Sequence, residues 1–157
     1  MYNTSLCYLT RGDEVLLMHR TRKREDVNQG KWIGIGGHFE NGESPEECML
    51  REFQEETGLT LTEWCYRGIV TFDQENAETE YMHLFTATKY TGTLRVDCDE
   101  GELAWVRWDA MDALPQWEGD RVFLKLLGRQ SAFFSVKLCY HGENLSQVYL
   151  NGTRTEI

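Results

Sequence analysis

Three glutamates, Glu52, Glu55 and Glu56, stand at i, i+3 and i+4 in a stretch that reads as one helix. Ser44 suits the N-cap, Pro45 the first helical position, and Glu47 completes an S-x-x-E capping box. Gly58 supplies the C-terminal stop, so the spacing predicts a helix over 45–57. At about 100° per residue, with Glu52 at zero, Glu55 falls near about 300° and Glu56 near about 40°. Met49, Phe53 and Leu50 fall near about 60°, 100° and 160°, so Glu52 and Glu56 stand at the margin of the apolar face. Carboxylates on adjacent turns repel by a few tenths of a kcal/mol per pair in the open. Beside an apolar wall the cost grows, unless a cation compensates. Arg51 can pair with Glu55 four residues on, but one guanidinium cannot neutralise three acids. Hard oxygen ligands in this pattern suit Mg²⁺ or Mn²⁺, held with waters and substrate phosphates. The bland alternative is a solvated acidic helix face, and the flanking residues decide between the two.

The elements around that helix are strands for the most part. Residues 4–10 and 14–20 read as a strand pair about the Arg11-Gly12-Asp13 turn, and residues 30–42 hold five glycines, which suggests backbone passing close to something. Further strands are expected near 62–73, 80–90 and 102–108, rich in Val, Ile, Thr, Tyr and Phe. A second helix should start after Trp117, with Val122, Phe123, Leu126 and Leu127 at helical spacing, and 132–140 with 146–150 should form a hairpin. This mixture fits an α+β or α/β/α sandwich, in a single domain over residues 1–157.

Composition narrows the function. A formal charge of −10 argues against binding a nucleic-acid polymer, and it would repel a phosphate substrate too unless a divalent metal intervened. No apolar run of about 18 residues offers a membrane span, and the first ten residues lack the features of a signal peptide. The five cysteines lie far apart without a CxxC pair, the pattern of reduced thiols in a cytoplasm.

Gly37, five residues, Glu43, seven residues, then Arg51-Glu52-Phe53-Gln54-Glu55-Glu56-Thr57-Gly58-Leu59 resembles the Nudix box, G-x5-E-x7-R-E-U-x-E-E-x-G-U with U a bulky apolar residue, over 37–59. The likeness to MutT-type members, above all the bacterial 8-oxo-dGTP diphosphatases, extends to residues 30–37, to Asp99-Glu100, to residues 114–120 and to the C-terminal hairpin. It implies an α/β/α sandwich with a mixed sheet, the box forming loop–helix–loop. It also implies attack of a metal-activated water on the β-phosphorus of a nucleoside triphosphate, releasing a monophosphate and pyrophosphate. By position, Glu52, Glu55 and Glu56 would ligate Mg²⁺ (or Mn²⁺), with the Gly36 carbonyl contributing and Glu100 joining from a loop. The general base would be Glu56 or Glu100, a choice the resemblance leaves open. Arg51 would orient a glutamate and Glu43 would brace the loop. Arg20 and Lys23 would contact the triphosphate, and Gly37 and His38 would approach the substrate.

The same resemblance makes Trp117 the stacking wall for a purine and Asp120 the group that reads its edge. Two departures separate this chain from the mammalian members. Glu118-Gly119-Asp120 replaces two adjacent carboxylates, and Ile33 stands in the pocket where those members carry an asparagine. Ile33 cannot hydrogen-bond a base, so recognition of an 8-oxo group must differ here. His19 and His83 read as packing or surface residues, Trp64, Trp105 and Trp108 as sheet or core residues, and Trp32 as packing for the glycine-rich segment. The implied activity is hydrolysis of 8-oxo-dGTP or a similar damaged purine triphosphate, by a monomer or small homo-oligomer. The alternatives are another nucleoside diphosphate derivative (a pterin triphosphate, a nucleotide sugar, a dinucleoside polyphosphate) or a non-catalytic binding module.

Overall fold

The computed structural model describes residues 1–21, 28–129 and 132–156, without the side chains of 97 and 98. Its strands are β1 (Tyr2–Arg11), β2 (Glu14–Arg20), β3 (Trp32–Ile33), β4 (Ile35–His38), β5 (Leu59–Gln74), β6 (Glu80–Gly92), β7 (Asp97–Cys98), β8 (Gly101–Arg107), β9 (Phe134–His141), β10 (Asn144–Leu150) and β11 (Thr153–Thr155). The helices are α1 (Pro45–Thr57) and α2 (Glu118–Arg129), with a 3₁₀ turn over Trp108–Ala113. The sheet runs β11-β10-β9-β5-β6-β1-β2-β8-β7, with β4 paired to β1 and β3 to β2. It is mixed: β1 lies parallel to β6 and β5 parallel to β9, while the other pairs are antiparallel.

Alternation along the central strands builds two cores. Tyr8, Val15 and Leu17 point into a cluster with Val70, Leu84, Val136, Leu138 and the α2 residues Phe123 and Leu127. Their chain neighbours Cys7, Leu9, Leu16 and Met18 point the other way, to Met49 and Phe53 of α1. A strand covered on both faces needs apolar residues in unbroken succession, which is why Val15-Leu16-Leu17-Met18 does not alternate. The α/β/α sandwich is therefore the fold, as the strand-rich pattern predicts.

Helix α1 begins and ends where its caps dictate. Ser44 Oγ accepts from the Glu47 amide at 3.1 Å and Glu47 Oε1 accepts from the Ser44 amide at 3.1 Å, a complete capping box. At the other end Gly58 adopts φ +80° and its amide donates to the Gln54 carbonyl at 2.9 Å. Buried Thr57 closes the turn, donating to the Phe53 carbonyl at 2.6 Å and accepting from the Leu59 amide at 3.0 Å. Helix α2 buries Phe123 and Leu127, and Arg67 from β5 donates to the Leu127 carbonyl at 3.1 Å.

The short strands β3, β4 and β11 and the 3₁₀ turn carry too few residues for a periodicity to form, so the sequence reading passes over them. Trp64 is a sheet residue on β5, 39% exposed, whereas Trp108 is a correction: it is 37% exposed on the 3₁₀ turn and belongs to neither sheet nor core. Trp105 packs beside the α1-side core with the Arg11 guanidinium 4.0 Å from its ring centroid. No helix among the described residues is long and apolar enough to cross a membrane.

At Gly58 an added Cβ would meet the Thr93 carbonyl oxygen at 2.9 Å in a left-handed conformation. Gly58→Ala should therefore cost about 1–2 kcal/mol, a fall in Tm of roughly 2–8 °C by thermal unfolding.

Candidate active site

The acids of α1 divide as the helical wheel predicts: Glu52 and Glu56 are half-buried and Glu55 is exposed. Arg51 organises them. Its Nε and Nη2 donate to the two oxygens of Glu43 at 2.6 and 2.8 Å, its Nη1 to Glu52 Oε1 at 2.8 Å and Glu55 Oε2 at 3.2 Å, and its Nη2 to the His38 carbonyl at 3.1 Å. Those hydrogen bonds hold the Glu43 carboxyl down to about 2. Glu43 Oε1 also accepts from the Glu40 amide at 2.7 Å, so the guanidinium ties the loop before the helix to the helix itself.

Glu56 has no such relief. Burial first, then the charge and hydrogen bond of Glu100, then the charge of Glu52 push its carboxyl well above the usual carboxylate range. Its Oε2 is buried without a hydrogen-bond partner. Burial also raises the Glu52 carboxyl, against the opposing pull of Arg51. Glu100, just before β8, is joined to Arg20 at the end of β2 by a contact of 2.8 Å from Nη1 to Oε2. The glycines of β4 make the space: a Cβ on Gly37 would lie 2.4 Å from Cδ of Glu52, and one on Gly36 would lie 1.8 Å from the Ser5 carbonyl oxygen.

A second set of groups gathers where the chain enters α2. Trp117 donates from Nε1 to Asn28 Oδ1 at 2.7 Å and packs edge-on against Tyr140, with centroids 5.7 Å apart at 82°. The Lys31 ammonium stands 4.3 Å from the Trp117 ring centroid and 3.7 Å from Glu143 on the β9–β10 turn. Asp120 is 6% exposed, and among the described residues its carboxylate has no hydrogen-bond partner. Burial first and the charge of Glu80 second raise its pKa to about 7. Asp120 in turn adds to the effect of burial in raising the hydroxyls of Tyr8 and Tyr140. An aromatic wall beside a buried, unpartnered acid is an arrangement that can stack a planar ring and hydrogen-bond its edge.

Residues 3–127 match the model of the NUDIX domain. The chain belongs to the Nudix family. It is 34% identical over 118 residues to the Nudix hydrolase YvcI of Bacillus subtilis, covering 73% of this chain and 71% of that one. It is 32% identical over 113 residues to the oxidized purine nucleoside triphosphate hydrolase of Danio rerio, covering 71% of each. Among solved structures, the mutator MutT protein of Bacillus halodurans superposes with a TM-score of 0.86 at 26% identity, over 96% of this chain and 98% of that one.

The Nudix residues named from the sequence fall into two groups. Glu43, Arg51, Glu52, Glu55, Glu56, Glu100, Arg20, Gly36 and Gly37 converge on the α1 side, and Trp117 and Asp120 on the α2 side. Lys23 lies outside the described residues. Ile33 packs against the α1-side cluster whereas Trp117 packs against the α2-side one, so these two are not gathered on one face. The reason is the β2–β3 pairing, which sets Ile33 opposite Met18 and Trp32 opposite His19. His38 is exposed and stacks on Tyr2 at 5.1 Å between centroids; its carbonyl, rather than its ring, serves the acid cluster. His19 stacks on Trp32 at 4.5 Å and 1°, and His83 bonds Tyr66 and Asn3, both packing roles. The sequence reading missed Lys31, Asn28 and Tyr140 beside Trp117, and Tyr8 near Asp120. Alternation within each strand turns Tyr8 and Tyr140 inward, but only the pairing of β1, β6, β5 and β9 puts them on a shared face.

Nudix enzymes generally use a divalent cation such as Mg²⁺. Among the described residues no three His, Cys, Asp or Glu side chains lie close enough to enclose an ion unaided. Arg51 draws Glu52 and Glu55 to itself and Arg20 draws Glu100. Even so, the donor set fits a hard ion that keeps waters and substrate oxygens in its shell. Glu56 Oε2 is an orphaned buried acceptor, and the space that a Cβ at residue 37 would fill is taken by the Glu52 carboxylate.

The raised Asp120 pKa has a consequence for stability. A carboxyl pushed from 3.8 to about 7 in the folded state contributes stability in full below its unfolded value, and loses it as pH rises through about 7. Asp120→Asn cannot ionise, so its Tm relative to wild type should climb between pH 5 and pH 8, measured by calorimetry in a chelator. A difference that stays constant across that range would show that Asp120 carries no such burden.

Proposed function

We propose that the protein hydrolyses purine nucleoside triphosphates with a divalent metal, 8-oxo-dGTP foremost, giving the nucleoside monophosphate and pyrophosphate. The observation that carries this reading is the pairing of two unlike half-sites in one domain. A cluster of strained acids stands on the α1 side, and an indole with a buried, unpartnered acid stands on the α2 side. A relative of similar length that is named for oxidized purine triphosphates supports the same substrate class.

The residues divide the work as follows. Mg²⁺ or Mn²⁺, when bound, would neutralise phosphoryl oxygens and acidify a water. Glu52, Glu55 and Glu56 would hold the ion, together with Glu100 and the Gly36 carbonyl. Arg51 orients Glu52 and Glu55, and Glu43 fixes Arg51. Glu56 is the better candidate for the proton, because its Oε2 is the buried oxygen left without a partner, whereas Glu100 is engaged by Arg20. Arg20 stands at the same place as a donor to phosphate. Trp117 would stack the purine and Asp120 would meet its edge.

The test is release of monophosphate and pyrophosphate from a panel in Mg²⁺: dGTP, 8-oxo-dGTP, 2-hydroxy-dATP, dihydroneopterin triphosphate, a dinucleoside polyphosphate and a nucleotide sugar. A kcat/KM highest for 8-oxo-dGTP supports the reading. A maximum at the pterin, sugar or dinucleoside would move the substrate while keeping the hydrolase, and no turnover of any would favour a binding module. Glu56→Gln should lower kcat about a hundredfold or more while Tm stays within a few degrees. Near-normal turnover in that variant would take the proton away from Glu56.

A further inference from the structure

We propose that Glu80 on β6 is the second acidic group of the base pocket, selecting with Asp120 purines whose edge carries more than one N–H donor. This rests on the purine triphosphate reading of the site and goes beyond it by naming a residue and a base class.

The register places Glu80 there. Parallel pairing sets Tyr2 opposite Glu80 and Thr4 opposite Met82, so Tyr2, Thr4, Leu6 and Tyr8 share the α2 face of the sheet with Glu80, Met82 and Leu84. The Glu80 carboxylate lies on that face: Oε2 accepts from Thr4 Oγ1 at 2.5 Å and Oε1 from the Tyr2 hydroxyl at 3.2 Å. Thr4 is 6% exposed while Glu80 is only half-buried, so the anchored acid still has an open side. Each carboxylate oxygen has two acceptor positions, and one hydroxyl on each leaves one free.

The second acid of this pocket cannot come from beside Asp120. A Cβ at Gly119 would lie 2.4 Å from the Tyr140 hydroxyl oxygen and 2.6 Å from Leu138 Cδ1, and the Gly119 amide donates to that hydroxyl at 2.7 Å. Across the sheet Glu80 stands opposite Phe72 and Phe72 opposite Leu138, whose Cδ1 lies 2.6 Å from a Cβ at Gly119, so the row that carries Glu80 runs under the turn that carries Asp120, and the charge of Glu80 acts on that acid. Asp120 lacks a partner and Glu80 has acceptor capacity to spare. An edge with one amino group, as in adenine, satisfies one acid and leaves the other unpaired. An edge with a ring N–H beside an amino group, as in guanine and its oxidised form, can satisfy both, and an unpaired buried acid is what discriminates strongly.

Glu80→Gln, which keeps the shape and the hydroxyl bonds, is tested in two ways. The kcat/KM ratio of 8-oxo-dGTP to dATP should fall about tenfold through KM, with kcat within about twofold. In EDTA the calorimetric Kd for 8-oxo-dGMP should weaken by a similar factor while that for dAMP holds. If Tm falls but both ratios stay within about twofold of wild type, Glu80 merely pins β1 to β6 and the proposal is overturned, while the hydrolase reading stands. If wild type turns over no purine triphosphate yet binds 8-oxo-dGMP in a Glu80-dependent way, the pocket assignment stands and the reaction reading fails. If wild type neither hydrolyses nor binds a purine, both fall. Should the Gln variant not fold, Glu80→Asp, which withdraws the acid by one methylene, must lower the same ratios; unchanged ratios there overturn the proposal too.

Discussion

The guanidinium of Arg51 spans the carboxylates of Glu43, Glu52 and Glu55 and the carbonyl of His38, and most of the acidic site is arranged around it. Acids crowded on adjacent turns would splay outward or lose their charge if nothing held them. A planar fork with five donors can bind several oxygens in fixed directions, which a lysine ammonium cannot do as well. Arg51 therefore also locks the glycine-rich strand and the loop after it onto the helix. Its reach stops at the third acid. Glu56 is left to oppose Glu100, which Arg20 engages, and the buried oxygen of Glu56 without a partner is what a divalent cation would relieve.

The sheet imposes the second constraint, because it separates the site into halves. Cys7, Leu9, Leu16 and Met18 face the acid-bearing helix, while Tyr8, Val15 and Leu17 face the helix that carries Asp120. Around β3 and β4, side chains from both faces press close on the backbone. A Cβ at Gly34 would stand 3.0 Å from Leu6 and the Tyr8 ring on one side, and one at Gly37 would run into Glu52 on the other. The glycines serve close approach more than a turn: neither residue has a positive φ.

Burial sets the chemistry of each half in opposite ways. On the α1 side it falls on Glu52, which has Arg51 beside it, and on Glu56, which Arg51 does not reach. On the α2 side it is applied to Asp120, with Lys31 held over Trp117 as a nearby positive group. The same low dielectric that makes an unpaired acid costly makes its satisfaction by a base edge selective.

Local rules were enough for helix α1. Ser44, Pro45, Glu47 and Gly58 carry capping chemistry within a few residues of where it acts, and their spacing alone placed its ends and turned Glu52 and Glu56 toward the core. The box from Gly37 to Leu59 was legible for the same reason, since a helix sets the side chains of one face at fixed intervals. Strand assembly was not local. That Glu80 lies opposite Tyr2 follows from a parallel pairing across 78 residues, which no pattern in either segment announces. Nor did the sequence show that Ile33 faces α1 or that Gly119 is held open by Tyr140. Those facts depend on register, where a shift of one residue turns every side chain to the other face, and only the packed sheet decides it.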